Sequence, residues 1–412
     1  MKHLGDITKI NGAAVPPVNV IIGGSPCQDL SVAGKRAGLS GERSGLFMEQ
    51  LRVIKEMRQA DENRGRTGKH IRPRFMVWEN VPGAFSSNKG ADFGAVLQET
   101  VRVVCKETPD IPMPKNGWPT AGALVGMGGD WSVAWRVLDA QFWGVPQRRR
   151  RIALVANFGG ATAPEILFER DGVPGNPPQS GEQGQAPTGR TETGVGASSP
   201  AGLAYCIQGN AIGRADTAGC GGRGWREDKS YTLNTVDRPA VAVFENHSQD
   251  TRFKGPVDIS QTVSSTFGMG GNNTPFVVNK ETVASFKSKM GSKNAEYTVR
   301  RLTPLECERL QGFPDGWTDI GEWVDSNGKK HKDSDSPRYK ALGNSIAIPP
   351  WLYVLSKLSL CCGEDHTMAS LFDGIGGFPY IWEILHGKGF CLWASEIEEF
   401  PIAVTKIRFP EE

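Results

Sequence analysis

Nothing in this 412-residue sequence marks it for a membrane or for secretion. No apolar run approaches the roughly 20 residues that a bilayer-spanning helix needs. The opening MKHLGDITKI lacks the charged-then-apolar profile of a secretory leader. Cysteine is scarce, with eight residues and no C-x-x-C pairs at zinc-finger spacing, so neither a disulfide scaffold nor a zinc module is expected. An excess of one charge is also lacking. Lys and Arg total 47 against 45 Asp and Glu, a net +2. Bulk electrostatics therefore names no partner, although basic residues gathered on one face would still suit nucleic acid. The six histidines show no pairing at ligand spacing, so no metal is expected. These absences point to a soluble cytosolic protein with reduced thiols, and the length suggests two domains or three. Glycine is what the chain has in plenty: 51 residues, beside 27 prolines, much of it concentrated in a few stretches.

Along the chain, VNVIIGG (18–24) reads as a buried strand entering a tight turn. Helical spacing follows over Leu46 to Met57, then FMVWENV (75–81) as a second strand. WSVAWRVLDAQFWG (131–144) is amphipathic and predicts a helix, and RIALVANF (151–158) a third strand. The alternation predicts an α/β domain with a mostly parallel sheet over 1–158. Residues 159–202 include a Gly-, Pro-, Ser- and Gln-rich stretch (171–202) without an aromatic, which predicts a flexible linker. Residues 203–298 change to short β-type runs. YTLNTVDRPAVAV (231–243) and QTVSSTFGMGGNNTPFVV (261–278) share a Thr-rich core and a Pro-x-Val ending, which predicts two tandem β units. From 299 to 412 the α/β character returns. Thr303, Pro304 and Glu306 predict a capped helix start, and the end of the chain reads strand, glycine turn, helix, strand.

Five short segments could carry chemistry, and each has an ordinary structural reading beside it. In SLFDGIGGF, Gly374, Gly376 and Gly377 follow an apolar strand, with Glu396 ending the next strand. That spacing suits a nucleotide-type cofactor or merely a tight strand-to-helix turn. In GGSPCQDLS, Cys27 sits after a strand, as a reactive thiolate or a small buried side chain. Glu79 of ENV serves chemistry or caps a loop. In PQRRRRIALV, alternation puts Arg149 and Arg151 on one face, although a solvated strand start would look the same. Gly343-Asn344 alone is a turn.

Taken together, GGSPCQ, ENV, Q-x-R-x-R, a variable β region, RRLTPLECERLQGFP, GNS and F-x-G-x-G-G resemble the DNA cytosine-5 methyltransferases. The resemblance covers 1–158 and 299–412, with the segment between as the variable target-recognition region. It implies a doubly wound, Rossmann-like sheet, a smaller β-rich recognition domain, and S-adenosylmethionine as cofactor. It further implies that Cys27 attacks C6 of cytosine while Glu79 holds N3 and the exocyclic amine. Arg151 would hold the O2 edge, with Arg149 in support. Cofactor contacts would come from Phe372, Asp373, Gly374, Ile375, Gly376, Gly377, Glu396, Ile397, Asp6, Ile7, Pro26, Leu46 and Asn344. Gln28, Ser31, Lys35, Arg36 and Arg43, on the loop resembling the family's mobile catalytic loop, would contact DNA.

The partner implied is duplex DNA, with a flipped base, no membrane and a monomeric enzyme in a prokaryotic cytoplasm or encoded by a phage. A cognate restriction endonuclease is left open. Two departures from the family stand out. Its F-x-G-x-G-G motif normally comes first and here comes last, which implies a circular permutation with CCGEDHTM (361–368) as the joint and Met368 as an older start. Ser370 stands where many relatives carry Asp. A tRNA cytosine methyltransferase would share every motif, and the large, duplicated variable region favours DNA. A nicotinamide oxidoreductase leaves Cys27, Glu79 and the arginines unexplained. A non-catalytic DNA-binding module predicts the loss of one of those residues.

Overall fold

The computed structural model describes residues 1–25, 45–168, 259–264 and 302–410, and the backbone of 242–246, 253–257, 276–280 and 297–301. In chain order the first elements are β1 (Lys2–His3), β2 (Val20–Gly23), α1 (Gly45–Asn63), β3 (Phe75–Asn80), α2 (Ala91–Val101), β4 (Ala121–Val125), β5 (Ser132–Asp139), β6 (Arg150–Asn157) and α3 (Ala163–Leu167). Then come β7 (Ala242–Asn246), β8 (Phe253–Val257), β9 (Phe276–Lys280), β10 (Tyr297–Arg301), α4 (Pro304–Gln311) and a hairpin of β11 (Trp323–Val324) and β12 (Lys330–His331). The last are α5 (Asp335–Asn344), α6 (Ile348–Cys361), β13 (Met368–Leu371), α7 (Gly377–His386), β14 (Cys391–Ser395) and α8 (Glu399–Arg408).

Val20, Ile21, Ile22, Phe75, Met76, Val77 and Trp78 are fully buried, because their strands have helices over both faces. The large sheet runs β1-β14-β13-β2-β3-β6-β5-β4. The pairs from β1 to β3 are parallel, while β6, β5 and β4 join antiparallel. One face packs under α3 to α8 (Val20, Val77, Val155, Ile381, Val404), the other under α1 and α2 (Ile21, Trp78, Leu154, Ile54, Phe93). From β13 the chain passes through α7 outward to β14. From β2 it passes through α1 the opposite way to β3. Adjacent strands β13 and β2 thus form the switch point, where an open α/β sheet leaves a crevice beyond its strand ends.

The expected helix over 131–144 is a strand instead. Residues 132–139 form β5, between β4 and β6. Val133 and Trp135 face one layer while Ala134 and Leu138 face the other, so both sides are apolar and the two-residue period is hidden. The capped helix start holds: Thr303 N–H donates to Glu306 at 2.8 Å and Glu306 N–H returns to Thr303 Oγ1 at 3.3 Å.

A second, antiparallel sheet runs β10-β9-β7-β8. β7 follows the Pro-x-Val ending of the first tandem unit, and β9 begins within that of the second. They pair with each other through Ala242 and Val278, each three residues beyond its unit's proline. The remainder of the duplicated stretch, apart from 261–264, and the expected linker over 171–202 lie outside the described residues.

Candidate active site

The strand order brings the separated motifs to one end of the sheet. β13 runs into the glycine turn, β2 into the segment leading to Cys27, β3 carries Glu79 near its end, and β6 opens with Arg150 and Arg151. With strands about 4.8 Å apart, the turn and the Glu79 strand lie roughly 10 Å from each other across β2.

Glu79 and Arg151 meet there. Arg151 Nε lies 2.8 Å from Glu79 Oε1, and both side chains are mostly covered. Gly24 runs against the same carboxylate: a Cβ on it would stand 3.0 Å from Glu79 Oε2. Two side chains then fasten the segment that precedes Cys27. Trp78 Nε1 donates to Ser25 Oγ at 3.0 Å, and Asn80 Nδ2 donates to the Ser25 carbonyl at 3.3 Å. Ser25 is 3% exposed. Ser25 and Asn80 sit inside motifs noted in the sequence, but nothing in the sequence separates a brace from its reactive neighbours. Pro26, Cys27, Gln28, Ser31, Lys35, Arg36 and Arg43 lie outside the described residues.

Arg149 does something different from Arg151. It is 2% exposed, and its guanidinium donates to the carbonyls of Val263 and Gly343 at 3.0 Å each and to that of Ser345. Gln147 Nε2 donates to Leu310 O at 3.2 Å, and a parallel bridge joins Gln147 to Ser260. These two side chains brace the seam between the catalytic sheet, residues 260–263 and the end of α5. Asn344 is exposed as the last residue of α5, so Gly343-Asn344 closes a helix before the turn into α6.

At the glycine turn, Phe372, Gly374 and Gly376 all have positive φ, at +54°, +57° and +79°. Phe372 bears a side chain in this sparsely allowed region, a strain that gathers at ligand clamps. Gly376 is required by packing, since a Cβ there would strike the Phe409 ring, whereas one on Gly374 would meet no atom within 4 Å. Glu396 holds the turn: Oε2 accepts from Gly374 N–H at 2.7 Å, and Oε1 accepts from Ile397 and Glu398 N–H at 2.7 and 2.9 Å. Burial pushes its carboxyl above the ordinary range against those three donors. A carboxylate offers about four acceptor sites, so capacity remains for a hydroxyl.

Asp373 is 5% exposed, with Oδ1 accepting from Ser370 Oγ at 2.5 Å. Burial, with Glu396 nearby, raises its pKa to about 8. Asp6 takes Thr8 N–H and Oγ1 on one oxygen at 2.9 and 2.8 Å, which holds its carboxyl low, and Ile7 is buried behind it. Ile397 is 67% exposed at the mouth. Leu46, half-buried in the first turn of α1, packs into the same apolar layer as Ile7 and Phe372. The group as a whole suits a flat heterocycle on a hydroxylated sugar: an apolar platform, a strained aromatic clamp, an acceptor at a strand end and an open glycine.

The family model for C-5 cytosine-specific DNA methylase matches residues 1–103 and 123–359. A protein of Escherichia phage P1 named DNA N-6-adenine-methyltransferase is 30% identical over 433 residues, covering 87% of this chain and 55% of that protein. The type II methyltransferase M.BsuFI of Bacillus subtilis is 28% identical over 349 residues, covering 84% of this chain and 59% of its own. The chain thus spans little more than half the length of these relatives. The crystal structure of S. pombe Dnmt2 methyltransferase is similar at 15% identity with a TM-score of 0.41, covering 86% of this chain and 82% of that one. With most of its length matched by the family model, the chain belongs to the C-5 cytosine-specific DNA methylases.

Proposed function

We propose that this chain transfers a methyl group from S-adenosylmethionine to C5 of a cytosine flipped out of duplex DNA. The observation that supports this most is the Glu79–Arg151 pair at 2.8 Å, beside the segment leading to Cys27 and one strand beyond the switch-point crevice. The cofactor, bound by Phe372, the turn at 374–377, Glu396, Ile397, Asp6 and Asn344, supplies an electrophilic methyl group. The chain's own residues make cytosine able to accept it. The Cys27 thiolate adds to C6, which turns C5 into an enamine-type carbon nucleophile. Glu79 steadies the proton on N3 as charge develops, and Arg151 keeps Glu79 in place and faces the O2 edge. After the methyl group joins C5, loss of the C5 proton to a base expels the cysteine as thiolate. The target must leave the stack first, at a cost of a few kcal/mol.

The phage relative's name describes adenine N6 methylation, and it belongs to a protein of which 55% is matched. An exocyclic amine needs no cysteine adduct, so that chemistry would leave Cys27 without a role. We infer also that the motif order is permuted. The family match ends at 359, yet residues 368–371 form the strand between β14 and β2 that the cofactor turn requires.

The test is Cys27→Ser. Transfer of tritiated methyl groups to duplex DNA should vanish while S-adenosylmethionine binding persists. Wild-type protein should form a covalent adduct with 5-fluorocytosine duplex, where the missing C5 proton blocks release. Methylation of tRNA in preference to duplex would move the substrate assignment. A Cys27→Ser protein at near wild-type rate would end it.

A further inference from the structure

Of the consecutive arginines, Arg149 and Arg151 are accounted for by the seam and by Glu79, and Arg150 is not. Arg150 is exposed, and neighbouring residues of a strand point to opposite faces, so it faces away from the Glu79 pocket that Arg151 enters. It pairs across the ladder with Asp139, whose carboxylate already accepts from Gln141 at 2.7 Å and Arg149 N–H at 3.1 Å. Among the described residues Arg150 has no ion-pair partner.

A second cation of this kind stands at the same end of the sheet. After β3 the chain forms a short 3-10 turn at Pro82–Phe85 that packs against β6, then a second at Ser87–Gly90. Asn88, Lys89 and Gly90 all adopt left-handed backbone (φ +47°, +56° and +96°), two of them without the freedom of glycine. The conformation is held from both sides: Trp118 Nε1 donates to Gly90 O at 2.7 Å, and Ser87 Oγ donates to Asp92 at 2.5 Å. Asp92 is thereby occupied. Lys89 is exposed with no ion-pair partner among the described residues. Strained residues fixed by their surroundings are a mark of functional surfaces.

We propose that Arg150 and Lys89 grip the DNA sugar-phosphate backbone at the end of the sheet that carries Glu79, with Arg150 on the opposite face of the sheet from the Glu79 pocket. This rests on the reading of the chain as a duplex-DNA methyltransferase. A phosphate diester fits both groups: guanidinium and ammonium bind it without reading sequence, and holding the backbone opposes the return of a flipped base.

The experiment measures equilibrium binding of a short duplex at salt between about 50 and 200 mM for wild type, Arg150→Gln, Lys89→Ser and the double variant. Removing one phosphate-binding cation should lower the slope of log K against log salt by about 0.9, and removing both by about 1.8. The loss in turnover should appear in KM for DNA, with S-adenosylmethionine affinity as the control. Arg150→Lys, which keeps the charge, should keep the slope. Slopes equal to wild type in the double variant would overturn the grip and leave the methyltransferase reading standing. A wild-type protein that neither binds nor methylates duplex DNA would overturn both, and is visible before any variant is made.

Discussion

Glu79 and Arg151 reach each other from neighbouring antiparallel strands, with Arg151 Nε 2.8 Å from Glu79 Oε1. The same guanidinium donates through Nη1 to the Arg150 carbonyl at 2.9 Å, so its orientation is fixed by the strand that carries it. A mostly covered pair of this kind works as a unit. Glu79→Gln should lower kcat by about 10²- to 10⁴-fold, the usual worth of a positioned acid or base. Arg151→Met should fall in the same range, and the double variant little further, since partners in one network are not additive. Single-turnover methyl transfer measures all three. A double variant losing the product of the two single losses would show independent roles.

Asp373 yields a pH signature. Burial keeps its carboxyl protonated to about pH 8 in the folded protein, whereas the unfolded chain releases that proton near pH 4. Between those values the folded state binds more protons than the unfolded. This contribution to stability is therefore whole below about pH 4 and is lost as pH rises towards 8, with a slope of up to about 1.4 kcal/mol per pH unit. Asp373→Asn keeps the shape without the titration. Its urea midpoint should gain on wild type steadily from pH 5 to pH 8, whatever the level at which it starts. Parallel pH profiles would show that residue 373 titrates like an exposed Asp.

Two glycines in the same turn should answer differently to alanine. At Gly376 the methyl group meets the Phe409 ring at a φ of +79°, so crowding and backbone strain together should cost about 2–4 kcal/mol. At Gly374 the φ is +57° and the added carbon meets no protein atom. Gly374→Ala should cost about 1 kcal/mol from backbone alone, yet weaken S-adenosylmethionine binding out of proportion, since the space it fills is the proposed cofactor space. Thermal unfolding beside cofactor titration separates the two effects. A Gly374→Ala protein with full cofactor affinity would place the ligand elsewhere.

The strands around the switch point were legible because they are short, apolar and bounded by glycine or polar turns, as at 20–23, 75–80, 368–371 and 391–395. The capping box at Thr303 was legible because its chemistry is local. β5 was not: buried on both faces, it lost the alternation that marks a strand. The site divides along the same line. Glu79, Arg151 and Glu396 stand at strand ends and are visible as motifs. Arg149 binds carbonyls from residues 114 and more positions away, and Ser25 is held from β3, partnerships that only the folded chain brings about.

The proposed permutation can be tested by undoing it. α8 ends beside β1: Met1, Lys2, Arg408, Phe409 and Pro410 line one cavity of about 340 Å³, and Thr405 Oγ1 lies 3.3 Å from His3 Nε2. Joining Glu412 to Met1 therefore asks little of the chain. The new break belongs between Gly363 and Glu364, both exposed, rather than at Met368. Thr367 O accepts from Asn19 and Val20 N–H at 3.0 Å, and Asn19 Nδ2 donates to Asp365 O at 2.6 Å, so residues 365–367 must stay attached to β13. Although a break there leaves β13 in register with β2, it unties α6 from the strand it precedes. Closure entropy changes only logarithmically with loop length, so stability should shift by about 1 kcal/mol. The rearranged protein, beginning at Glu364 and ending at Gly363, should bind S-adenosylmethionine as the original does and methylate the same sequence, read by bisulfite sequencing. A folded product that binds no cofactor would mean that β13, wherever the sheet places it, does not supply the cofactor turn.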